Sequence, residues 1–99
     1  MPRAPVTPNA SRVRGQLVRI VPDPSGRGSL WEIAIDRAQD VEGLPNFAQA
    51  YVGKTIQVYV HPELKLVLNI GDTLQARIAF RGDERGGQFV LIEDDASKL

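Results

Sequence analysis

Thr73-Leu-Gln-Ala-Arg-Ile-Ala-Phe-Arg81 is the stretch that decides the fold class. Leu74, Ala76, Ile78 and Phe80 alternate with Thr73, Gln75, Arg77, Ala79 and Arg81. Successive side chains of a strand point to opposite faces, so this period of two marks a strand with one buried face. Gly71-Asp72 supplies a turn before it. Gly82-Asp-Glu-Arg-Gly-Gly87 follows, with the glycine content of a hairpin loop. Gln88 to Glu93 reads as the partner strand, and Asp94 to Leu99 as a frayed acidic tail.

The same period recurs upstream. From Leu30 to Asp36, Trp31, Ile33 and Ile35 face one way and Glu32, Ala34 and Asp36 the other. From Lys54 to His61, Ile56, Val58 and Val60 point in, while Thr55, Gln57, Tyr59 and His61 point out; Pro62 then ends the strand. The first strand runs from Arg12 to Val21. Val13, Gly15 and Leu17 share a face, after which the apolar positions slip to Val18 and Ile20. A slip beside a glycine predicts a bend or bulge in a long strand. Pro22 to Ser29 is a loop by its turn residues; no helix follows Gly26-x-Gly28, so it is not a phosphate-binding loop. In residues 37–53, Leu44, Phe47, Ala48, Tyr51 and Val52 have near-helical spacing, broken by Gly43 and Pro45. A short helical turn after Pro45 is predicted there. Residues 62–70 are too short for a stable helix and read as a turn or short strand. Pro2, Pro5 and Pro8 forbid a helix, so residues 1–11 read as a disordered, proline-rich arm.

Five strands without a long helix are best served by closure, which removes exposed edges. A long bent first strand, compact loops joining strands 1–2 and 4–5, a long excursion between strands 2 and 3, and the turn Leu68-Asn-Ile-Gly-Asp72 resemble the OB fold over residues 12–93. The likeness is of pattern to a superfold and singles out no family. SH3-like barrels and a Greek-key sandwich fragment are the alternatives. The expectation is an all-β, five-stranded OB-fold-like barrel, with apolar residues of 37–53 plugging one end, an arm at 1–11 and a tail at 94–99.

Composition narrows the function. A chain of 99 residues supports one core. The absence of cysteine excludes disulfides, thiolate zinc sites and iron–sulfur clusters. Met1-Pro-Arg-Ala-Pro is followed by no apolar run of the kind a secretory signal needs, and no stretch approaches the roughly 20 apolar residues of a membrane span. A cytoplasmic protein is expected. With one histidine, His61, and no GxSxG motif, the material for an activated nucleophile is poor, so neither enzymatic activity nor a cofactor is expected. Arg81-Gly82-Asp83 spells an adhesion tripeptide, but a hairpin turn accounts for it.

The formal net charge is zero but unevenly spread. Residues 1–37 carry six arginines against three acids, a net of +3, whereas residues 83–99 carry a net of −3. Two functional classes fit. The OB likeness implies a ligand face on strands 2 and 3 between the loops 1–2 and 4–5. There Arg27, Arg77, Arg81 and Arg85 would contact phosphates and Tyr59 would stack on a base of single-stranded DNA or RNA. Against this, Glu32 and Asp36 point outward on strand 2 and aromatic residues are few. The second class is a protein-interaction or scaffold domain, a subunit of a complex or a homo-oligomer. A continuous positive stripe linking the two loops would favour the first; an uncharged apolar patch would favour the second.

Overall fold

The computed structural model describes residues 9–64, 66–83 and 86–99. Its strands are β1 (Ser11–Pro22), β2 (Ser29–Asp40), β3 (Thr55–Val60), β4 (Thr73–Asp83) and β5 (Gly86–Lys98). They close into a barrel in the order β1-β2-β3-β5-β4. β1 pairs antiparallel with both β2 and β4 and so closes the ring, while β3 and β5 run parallel. This is the five-stranded Greek-key barrel of the OB fold.

The alternating patterns fill the interior. Val13, Leu17, Ile33, Ile35, Val58, Leu74 and Ile78 are all but inaccessible to solvent, and Trp31 and Phe89 pack among them. Each such side chain removed from water contributes about 1.5–3 kcal/mol.

β1 bends where glycine allows it. Its register against β2 shifts between Arg14 and Gly15 and again between Leu17 and Arg19. A Cβ at Gly15 would sit 2.3 Å from the Ala34 carbonyl oxygen, so only glycine permits this approach of the two backbones. Val18, within the second shift, and Ile20, past it, are exposed.

Both ends of the barrel are covered by connections. A one-turn 3-10 helix, Phe47–Tyr51, lies between β2 and β3 and buries Ala48. This is the helical turn predicted after Pro45; Pro45 itself lies outside it, and Asn46 is its cap. At the other end, Leu68 is buried and Leu64 and Leu66 pack against the core. Gly71 N–H donates to the Leu17 carbonyl at 2.7 Å and Leu17 N–H to that of Asp72 at 2.9 Å, which fastens this connection to β1.

Several boundaries differ from expectation; the hairpin loop expected at Gly82–Gly87 is shorter, since Gly82 pairs with Gly87 and Asp83 with Gly86. Residues 1–8 of the expected arm lie outside the described residues, but Asn9, Ala10 and Ser11 belong to the barrel. Asn9 Nδ2 donates to the Phe80 carbonyl at 2.9 Å, and Phe80 N–H donates back to Asn9 Oδ1 at 2.6 Å. Ala10 and Ser11 are buried. β2 continues through Asp40, pairing Arg37 to Asp40 with Arg14 to Ser11, because polar residues can occupy a strand whose outer face meets water. The acidic tail expected at 94–99 is instead the second half of β5. Leu91 pairs with Ile78 and Ala96 with Ala76, so the four residues 92–95 face Arg77 alone. The charged run occupies this bulge, which breaks the period of two; beyond it Ser97 and Lys98 rejoin Gln75 and Leu74.

Candidate ligand-binding groove

The 3-10 helix places Phe47 and Tyr51 beside rings from β4 and β5. Such a short helix has little stability of its own. Asn46 fixes it: its Oδ1 accepts from Gln49 N–H at 3.1 Å and from the Ser11 hydroxyl at 2.5 Å. Asn46 Nδ2 donates to Asp40 at 3.0 Å, and Ser11 Oγ in turn accepts from Ala48 N–H at 3.3 Å. The helix is thus tied to the start of β1 and the end of β2.

Four aromatic rings meet beneath it. Phe47 meets Phe80 edge-on with centroids 6.3 Å apart, Phe80 meets Phe89 at 5.2 Å, and Tyr51 meets Phe89 at 5.5 Å. These are favourable edge-to-face arrangements. The Phe80 ring lies across Gly87, where a Cβ would come within 2.4 Å of it. Phe47 and Tyr51 remain 38% and 39% exposed, and Phe80 is half-buried rather than core. They line a groove of about 420 Å³, within the range of small-ligand sites. It runs into a second hollow of about 370 Å³ whose walls add Thr55, Gln57, Gly87 and Gln88. Apolar ring faces therefore give way to two side-chain amides and a hydroxyl. Arg81, paired with Gln88 across the β4–β5 ladder, is exposed on the outer face nearby.

The five residues singled out by sequence do not form one site. The loop joining β1 and β2 closes beyond Ser29, which pairs with Val60 at the end of β3. The β4–β5 hairpin turns back near the start of β3, since Phe89 pairs in parallel with Val58. The two loops therefore lie at opposite ends of β3, a six-residue strand of about 20 Å. Arg27 is exposed at the first end. Tyr59 is there too, half-buried opposite the buried Leu30, with its ring against Gly28. It is a cover for that glycine rather than an open stacking platform. Between the loops the β2–β3 face offers Glu32, whose carboxylate is 3.9 Å from Arg19, together with Gln57 and Thr55. Among the described residues no positive stripe crosses it. Arg77 lies on the far wall, on β4 beside β1. Arg81 stands near the aromatic groove, and Arg85 lies outside the described residues.

The groove was half legible. Residues of 37–53 were expected to plug an end, and Phe80 to share the buried face of its strand. That the plug and core rings share one open surface depends on β4 and β5 meeting the 3-10 helix, which local pattern does not report. His61 Nδ1 accepts from Glu63 N–H at 3.2 Å, a local turn contact. Among the described residues no three His, Cys, Asp or Glu side chains converge, and no helix is long and apolar enough to cross a membrane. The chain matches no protein-family model, no curated protein and no solved structure.

Proposed function

We propose that this barrel is a non-enzymatic, cytoplasmic binding module for single-stranded nucleic acid, and that a base enters the aromatic groove. The observation that carries the reading is the meeting of Phe47, Tyr51, Phe80 and Phe89 above a rim of Gln57 and Gln88, with Arg81 exposed across the ladder from Gln88. Ring faces take a base of any identity, and stacking is worth about 1–3 kcal/mol per base. Side-chain amides read base edges, and an exposed guanidinium takes the adjoining phosphate. On this reading the ligand sits at the mouth formed by the 3-10 helix and the β4–β5 hairpin and reaches the β2–β3 face at Thr55 and Gln57, where Glu32 stands opposite Gln57.

Fluorescence anisotropy of labelled 15-mers of dT and rU, titrated at 25 and 200 mM salt, tests it. Binding is expected to saturate and to weaken with salt as counterions are released. Phe47→Ala and Tyr51→Ala should each weaken it by about tenfold or more, with thermal melts showing the barrel intact. Tyr59→Ala should leave affinity unchanged. No saturable binding at 25 mM salt would sink the proposal.

A second reading, a protein-interaction or scaffold domain, draws on a different surface. Val18 and Ile70 are 45% and 59% exposed, and the bond from Gly71 N–H to the Leu17 carbonyl joins the backbone next to them. Exposed apolar neighbours of this kind suit a protein partner or a second copy.

A further inference from the structure

Four arginines that are scattered in sequence share one wall of the barrel. On β1, Arg12 and Arg14 flank the inward Val13 and so point out. Arg12 stands opposite Gln39 of β2 and Arg77 of β4; Arg14 stands opposite Arg37 of β2 and Gln75 of β4. The result is a grid of two rows across three strands, four arginines and two glutamines, with no acid inside it. Both arginine pairs are directly opposed, and like charges in that position oppose pairing of the strands. Arg14 and Arg37 are exposed, and neither makes an ion pair with a described residue. Among the acidic residues whose side chains are described, Asp36 stands in the bulge beside Arg37 and Asp40 beyond Gln39, both at the margin; the backbone of Glu93 to Asp95 runs across from Arg77. A crevice of about 50 Å³ opens between the side chains of Arg12, Arg14, Arg37, Gln39 and Gln75.

We infer that this wall is a second contact surface, a track for the phosphodiester backbone of the strand whose base occupies the groove. The inference rests on the function proposed above and extends it to a site the β2–β3 face does not include. Arg12 and Arg14 are two residues apart along a strand, about 7 Å, and neighbouring strands add about 5 Å each. A ligand meeting Arg14, Arg37 and Arg77, which span three strands, must therefore carry several negative charges spread over about 10 Å or more, which a lone carboxylate or phosphate does not. Planar guanidinium forks suit the paired oxygens of successive phosphates. The wall also adjoins the groove. The row below Arg12 holds Ser11 and Asp40, the two residues that Asn46 bonds to seat the 3-10 helix and its Phe47.

The test compares wild type with the double variant Arg14→Gln, Arg37→Gln, whose side chains are exposed, so that a thermal melt should confirm an intact fold. Anisotropy follows the dT 15-mer across salt; chemical-shift titration follows the trinucleotide dTdTdT, which is long enough for the groove alone. The expected result is a shallower dependence of log K on log salt for the 15-mer, by about 1.4 for two lost phosphate contacts. Its affinity at low salt should fall by about tenfold or more, with the trinucleotide unchanged. If the double variant binds the 15-mer with wild-type affinity and slope, the wall is not a track, although the groove reading stands. If both ligands weaken equally, the arginines act through the groove and the separate track is wrong. If wild type binds neither, both proposals fall together.

Discussion

Gly28 is held where no other residue fits without strain. Its φ is +66°, and a Cβ would lie 2.4 Å from the Val60 carbonyl oxygen and 2.9 Å from the Tyr59 hydroxyl. Gly26, two residues earlier, has φ +81° with open space around it. The pair separates backbone strain from collision. Gly26→Ala should lower stability in urea by about 1 kcal/mol, the cost of a left-handed conformation alone. Gly28→Ala should lower it by at least about 2 kcal/mol, because β3 must also retreat. Equal losses would show that Tyr59 and Val60 yield freely. Gly87 poses a related question in the groove, since Gly87→Ala drives a methyl into the Phe80 ring. Strand binding should weaken in that variant more than global stability does.

At the scale of elements, the 3-10 helix is the piece whose position depends most on single side chains. Asn46→Ala removes the cap and both ties, to Ser11 and Asp40, and should cost about 1–2 kcal/mol. Hydrogen exchange should localise the effect: amides after Asn46 exchange faster, while Ile33 and Ile78 in the core do not. β2, β3 and β4 were legible because each has a dry face and a wet face, so that Trp31, Ile33, Ile35 or Leu74, Ala76, Ile78 recur at alternate positions. β1 was legible as bent, with Gly15 at the first register shift. The ends of β2 and β5 were not, since the stretch from Arg37 to Asp40 has Ala38 as its one apolar residue, and charged residues of β5 sit in a bulge where alternation fails. The arginine wall was hidden for a related reason. Arg12 and Arg14 read as outward in the sequence, but Arg37 and Arg77 join them only through pairing registers that the bulges shift.

On the scale of the whole molecule, closure makes distant segments depend on one another. Leu74 and Ala76 are paired on one side by β1 and on the other by the last residues of β5. Removal of residues 94–99 strips one side of β4 and should lower stability by at least about 3 kcal/mol, as several backbone groups lose their partners at once. Urea unfolding followed by circular dichroism checks this, and an unchanged midpoint would mean that the end of β5 contributes little. The late closure also has a consequence for synthesis. β1, β2 and β3 form a meander of neighbours in sequence, and they leave the ribosome before Ile78, the partner of Ser11, exists. For that interval the free side of β1 is an open template for another nascent chain. Arg12 and Arg14 stand along that side as gatekeepers whose charge repels a like edge. Nascent chains carrying Arg12→Gln and Arg14→Gln should therefore aggregate more than wild type when synthesis is slow, even if the finished barrel is equally stable.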